Sequence, residues 1–154
     1  MMQKNDYMLS ALAPEHISEM AALEKQCFSL PWSENALREE LENPYARYIV
    51  CTHGGSVVGY VGARVVYDEV HITNVAVDPD HRRQGLGTAM MKEMIRAALL
   101  ADYAFITLEV RESNSAAIKL YDKLGFVFIG KRPGYYELPR EDALLMTLFL
   151  KKES

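Results

Sequence analysis

The stretch Ile72-Thr73-Asn74-Val75-Ala76-Val77-Asp78-Pro79-Asp80-His81-Arg82-Arg83-Gln84-Gly85-Leu86-Gly87-Thr88 holds a strand, a turn and a basic, glycine-bearing loop that opens a helix. Glycines at 85 and 87 permit positive φ and let the backbone approach a bulky ligand. The unpaired amides of the first helical turn, at the positive end of the helix dipole, form a receptor for phosphate. Arg82 and Arg83 add charge beside it. A bare Gly-x-Gly with two arginines is better explained by an ordinary helix start, so the flanking sequence has to carry the rest.

Outward from this stretch the hydrophobic period changes segment by segment. Tyr7–Leu12 reads as a short strand, and Pro14-Glu15 opens a helix whose apolar stripe includes Ile17, Met20, Ala21 and Leu23–Glu24. Pro31-Trp32-Ser33 interrupts it, and Ser33 caps a second helix that stops before Pro44. Tyr48–Thr52, Val57–Val66 and Val70–Val77 are β-branched and aromatic, with His53-Gly54-Gly55 as a hairpin turn. Gly85–Ala101 is helical, Ala104–Val110 a strand, Ser113–Leu124 a helix, Phe126–Ile129 a strand and Ala143–Leu150 the last strand. Strand-helix-strand units in the second half demand parallel pairing. The expectation is one α/β domain over residues 1–154, a mixed sheet of about seven strands flanked by about four helices.

The bulk composition narrows the function. The 154 residues are 49% hydrophobic and 25% charged with net charge −4, an ordinary globular balance. That charge argues against nucleic acid as a direct partner, which needs a basic face, and is compatible with a cationic one. Cys27 and Cys51 sit far apart and read as lone thiols, which suits a reducing cytoplasm. A polar N-terminus and the lack of an apolar run near ~20 residues point to a soluble, cytoplasmic protein with no membrane partner. His16, His53, His71 and His81 lack ligand spacing, so no metal is expected.

Two specific readings of the glycine loop compete. Gly85-Leu86-Gly87 after a strand, with Glu109 downstream, resembles a dinucleotide fingerprint. Against it, Met90 stands where the third glycine belongs, and the turn from Val77 to Gly85 is long. Instead, Val75–Val77 followed by Arg82-x-x-Gly85-x-Gly87 resembles the acetyl-CoA signature of the GNAT acyltransferases. Phe28-Ser29-Leu30-Pro31-Trp32-Ser33, Leu108-Glu109-Val110-Arg111, Ser113-Asn114-Ser115-Ala116-Ala117, Leu120–Phe126, Arg132-Pro133-Gly134-Tyr135-Tyr136 and Glu141-Asp142-Ala143 are similar to its RimI branch, across nearly the whole chain. That branch acetylates the N-terminal alanine of the small-subunit ribosomal protein numbered eighteen.

The resemblance implies a site, residue by residue. The main chain of Val75, Ala76 and Val77 would bond the pantetheine arm and acetyl carbonyl. Arg83, Gln84, Gly85, Leu86, Gly87 and Thr88 would hold the pyrophosphate. Asn114 would touch the cofactor, although helix capping explains it equally well. Glu109 would be the proton acceptor, where without the resemblance it reads as an edge charge or a partner of Arg111. Tyr121, on the helix face of Ala117, Leu120 and Leu124, would be the proton donor, where otherwise it is a core aromatic. An ordinary phenol at ~10 gives its proton to a thiolate of acid pKa ~8.5 only slightly uphill. Phe28, Pro31, Trp32, Tyr135 and Tyr136 would wall a peptide slot. No enzyme nucleophile is needed, and the chain has no Gly-x-Ser-x-Gly elbow. A lysine or small amine as acceptor, or a binding module without turnover, remain the alternatives.

Overall fold

A computed structural model describes residues 6–151. β1 (Tyr7–Ser10) leads through a 3-10 turn at Pro14–His16 into α1 (Ile17–Cys27) and α2 (Glu34–Glu40). There follow β2 (Ala46–His53), β3 (Ser56–Val66), β4 (Glu69–Val77), α3 (Leu86–Leu100), β5 (Phe105–Arg111), α4 (Ser115–Lys123), β6 (Val127–Glu137) and β7 (Arg140–Phe149). The expected order of elements and the α/β class are both found. Among the described residues the strands form one sheet in the order β1-β2-β3-β4-β5-β7-β6, in which only β4 and β5 run parallel.

Each local signal has its physical counterpart. Gly54 and Gly55 take φ of 58° and 87°, the double positive φ of a two-residue hairpin turn. Ser33 Oγ accepts the Ala36 amide at 3.0 Å and starts α2. Helices cover both faces. Ile17, Met20, Leu23 and Leu37 of α1 and α2 pack on Tyr48, Val50, Tyr60 and Ala76. On the other face Met90, Met91 and Met94 of α3 and Tyr121 of α4 pack on Cys51, Val61, Ile106 and Leu108.

The C-terminal hairpin differs from expectation. β6 runs to Glu137 rather than stopping at Ile129, and β7 starts at Arg140 rather than Ala143. Tyr135 and Tyr136 therefore lie within the penultimate strand, not after it. β6 is an edge strand exposed on most residues, so it carries no alternating pattern, and Pro133 is tolerated because its missing N–H faces no partner. Its ladder with β7 is broken between Arg132 and Tyr136, where Gly134 has φ of 61° and donates its amide to Asp142 Oδ1 at 2.8 Å.

β4 and β5 create the site by parting. Their parallel register covers only Glu69↔Phe105, Val70↔Ile106 and His71↔Thr107. Just beyond, Thr73 is an extra residue in β4, because Gly62 pairs with Asn74 and Ala63 with Ile72. A bulge of this kind bends its strand and ends the pairing beside it. The extra residue lies in β4 itself. Gly62 is required there: an added Cβ would overlap Asn74 Oδ1 and the Tyr48 ring.

Candidate active site

The parted strands leave backbone groups of β4 without a neighbour. Asp78 N–H donates to Val58 O at 2.8 Å, which sets the phase of the β3–β4 ladder. Alternate residues Ala76 and Asp78 turn their main chain to β3, so Val75 and Val77 turn theirs into the gap. Ala76 was expected to act with them. Instead its main chain faces β3 and its side chain, 2% exposed, packs in the α1 core. The Val77 carbonyl is already engaged, accepting from Arg82 Nε at 3.3 Å and from the Cys27 thiol at 3.5 Å.

A cavity of about 700 Å³ fills the gap and passes through the sheet. Alternation along β5 settles which side chain faces where. Ile106, Leu108 and Val110 point into the α3–α4 core, so Thr107, Glu109 and Arg111 point to the opposite, α1 side. Tyr121, Ala117 and Asn114 line the α4 side of the cavity, whereas Glu24, Phe28, Trp32, Tyr135 and Tyr136 line it with Glu109. Of the expected slot residues, Pro31 alone is exposed outside the lining.

Glu109 sits mid-strand, opposite Leu145. Its partner is not Arg111: Oε1 lies 3.3 Å from Arg132 Nε of β6, and the two side chains are 26% and 56% exposed. Such a half-solvated pair contributes at most about 1 kcal/mol and exchanges easily. Tyr121 is 5% exposed and tilts against Phe126, with ring centroids 5.6 Å apart. Burial, with a smaller contribution from Tyr136, pushes its phenol up to about 12. The small uphill step expected for an ordinary phenol is thus an underestimate. Burial likewise pushes Tyr136 up to about 12, with Tyr135 and Glu109 adding to it; the two tyrosine rings stand perpendicular, 5.0 Å apart.

The phosphate loop lies outside the cavity, at the start of α3. Arg83 and Gly85 take φ of 65° and 77°, and Gly85 is the N-cap. The first intrahelical bond is donated by Ala89 to Gly85 O at 3.0 Å, so the amides of Leu86, Gly87 and Thr88 have no helix partner. Arg83, Gln84 and Gly85 are exposed, and a Cβ added at Gly85 would meet nothing within 4 Å. The Leu86 side chain is core, leaving only its amide for a ligand. An open, basic amide cradle continued by the free edge of β4 fits a long ligand with a pyrophosphate at one end. Asn114 caps α4, its Oδ1 accepting the Ala117 amide at 3.1 Å, while still lining the cavity.

One cluster escaped the sequence reading. Glu24, fully buried, lines the cavity. Oε1 accepts the Trp32 amide at 2.8 Å, and Oε2 accepts the Tyr60 hydroxyl and, at 3.2 Å, Asn74 Nδ2. Burial pushes this carboxyl up, against the two amide hydrogen bonds from Trp32 and Asn74 that pull it down. The signal was present: Glu24 falls on the same helical stripe as Ile17, Met20 and Ala21, where a carboxylate has to be satisfied internally.

Comparison with known proteins agrees with this geometry. Residues 17–126 match the model of the acetyltransferase (GNAT) family. The [ribosomal protein bS18]-alanine N-acetyltransferase of Escherichia coli (strain K12) is 36% identical over 142 residues, 91% of this chain and 95% of its own. The crystal structure of the ribosomal-protein-S18-alanine N-acetyltransferase from Escherichia coli superposes with a TM-score of 0.88 at 33% identity, covering 96% of both chains. Arabidopsis thaliana NAA60, solved in complex with acetyl-CoA, shares the fold at 16% identity, with a TM-score of 0.84 over 94% of this chain and 98% of that one. With a parted β4–β5 pair, a basic amide cradle and a family match spanning most of its length, this chain belongs to the GNAT acetyltransferase family.

Proposed function

We propose that this protein works in the cytoplasm, transferring acetyl from acetyl-CoA directly to a protein N-terminal α-amine, that of the N-terminal alanine of ribosomal protein bS18. The observation that carries the reading is the placement of Glu109 and Tyr121 on opposite sides of one through-sheet cavity. Direct transfer needs a proton removed on the amine side and a proton offered on the sulfur side. The acceptor named for the Escherichia coli relatives supports the choice of substrate.

Acetyl-CoA supplies the activated thioester. The amides of Gly85, Leu86, Gly87 and Thr88, with Arg83 and Gln84, hold its pyrophosphate. The main chain of Val75 and the amide of Val77, on the open edge of β4, bind the pantetheine arm and polarise the acetyl carbonyl, and Asn114 adds a contact beyond its capping bond. Glu109 takes the proton of the amine through a water that the open cavity admits. Neutralising an α-amine of pKa ~8 at pH 7 costs about 1.4 kcal/mol, against ~4.6 for lysine, and a partly exposed carboxylate acting through water suits the smaller task. Tyr121 offers its hydroxyl to the departing sulfur. Phe28, Trp32, Tyr135 and Tyr136 wall the slot that brings the chain terminus to Glu109.

The test is an acetylation assay with three acceptors: a peptide beginning with the bS18 alanine, the same peptide with its α-amine blocked, and free lysine. Transfer to the first alone is expected. Equal rates on the blocked peptide would defeat the N-terminal reading.

A further inference from the structure

Arg111 ends β5 on the Glu109 side of the cavity and has no part in the chemistry above. Its Nη1 donates to Pro139 O at 2.9 Å and lies 3.2 Å from Glu141 Oε1, while Nη2 donates to Leu138 O at 3.0 Å. The guanidinium also stacks over the Tyr136 ring, 4.3 Å from its centroid. Glu141 is anchored in turn by the Ser113 amide at 2.6 Å. Across the cavity mouth, Ser29 of the α1–α2 connection donates its hydroxyl to the same Leu138 carbonyl. The β6–β7 ladder closes at Glu137↔Arg140, so Leu138 and Pro139 form a two-residue turn. Carbonyls of such a turn ordinarily face water; here one side chain draws both toward β5.

We infer that Arg111 is a positioning residue for the acceptor: it holds Tyr136 and the Leu138–Pro139 turn as one wall of the slot, against which the α1–α2 connection closes. The inference rests on the acceptor reading above. The planar fork is essential to it. A guanidinium can bridge two carbonyls, pair with a carboxylate and stack on an aromatic ring together, whereas an ammonium satisfies one or two of these. The ion pair with Glu141, whose two side chains are 27% and 18% exposed, fixes the fork in place. The charge-assisted carbonyl bonds and the stacking carry the effect. The phosphate loop and the free edge of β4 touch none of these groups, so Arg111 acts on the acceptor and not on acetyl-CoA.

Steady-state kinetics of Arg111→Met and Arg111→Lys, with the alanine peptide and with acetyl-CoA as the varied substrate, test this. Arg111→Met is expected to raise the peptide KM about tenfold and Arg111→Lys by a smaller factor, while kcat and the acetyl-CoA KM stay within about twofold. Amide hydrogen exchange over residues 134–140 quickens in parallel. An unchanged peptide KM, or an equal rise in both KM values, overturns the inference. Where the methionine variant does not fold, the lysine variant is judged by the same ratio of KM values. A wild-type protein that acetylates a different amine sinks the bS18 reading alone, and the ratio is then measured with that amine. With no transfer at all, unchanged exchange over 134–140 refutes the clamp.

Discussion

Tyr121→Phe is expected to slow thiol release strongly, to leave stability at neutral pH nearly unchanged, and to make the protein more stable than wild type near pH 11. The phenol is 5% exposed and pushed up to about 12 by burial and by Tyr136. In the unfolded chain it titrates near ~10, so the fold disfavours the phenolate by about 2 pKa units, or a few kcal/mol. Because the folded value is the higher one, this contribution is complete below pH ~10 and is lost as pH rises through ~12. Midway, at pH 11, about half of it is gone. Phenylalanine cannot ionise, so the stability gap between variant and wild type should widen by on the order of 1 kcal/mol from pH 9 to pH 11. For a chain of this length that is about 2–4 °C in Tm. The same shift governs the chemistry. Complete transfer from a phenol at about 12 to a thiolate of acid pKa ~8.5 is uphill by roughly 5 kcal/mol, against ~2 for an ordinary phenol. As the proposed donor, Tyr121 would therefore act through a hydrogen bond that strengthens as charge develops on sulfur, and its loss should cost ~10²–10³ in kcat. The assay is released thiol followed from pH 7 to 10.5, with thermal unfolding alongside. Wild-type turnover in the variant removes Tyr121 from the mechanism. An alkaline limb near pH 10 that disappears with the hydroxyl refutes the buried-donor argument.

Glu109→Gln should lower kcat by ~10²–10⁴ while acetyl-CoA affinity, read by calorimetry, is kept. Stability should change by less than about 1 kcal/mol, since the partner Arg132 is largely solvated; undiminished turnover would exclude Glu109 as the base. Glu24→Ala strands the Trp32 amide, the Tyr60 hydroxyl and the Asn74 amide, and a loss of ~3–5 kcal/mol, on the order of 10 °C in Tm, is expected. An unaltered melting curve would show that the network does not support the fold. Burial raises the Glu24 carboxyl, so its contribution is complete below the ordinary carboxylate pKa and is lost as pH rises above it. Wild type should therefore gain stability relative to Glu24→Gln as pH falls from 7 toward ~4.5, and parallel pH profiles would contradict this.

Sequence alone determined the order of strands and helices, because apolar period is a local property that each segment carries whole. It also determined the hairpin at Gly54–Gly55, the caps at Ser33 and Asn114, and the open cradle at Gly85–Thr88, each set by a few neighbouring residues. Glu109 and Tyr121 were legible as candidates by resemblance. The tertiary structure decided what local pattern cannot encode. Only the start of β6, within Phe126–Ile129, was legible in the sequence, because an edge strand exposed on most residues does not alternate. The partners of Arg111 and Glu109 followed from β5–β7–β6 register, which placed Arg132 on Glu109 and gave Arg111 to the Leu138–Pro139 turn. The bulge at Thr73, and with it the division of roles among Val75, Ala76 and Val77, depends on how β4 meets two other strands. Most of all, the acidity of Tyr121 and Glu24 belongs to the fold: the side chain supplies the group, but the cost of its charge is set by how completely other residues exclude water from it.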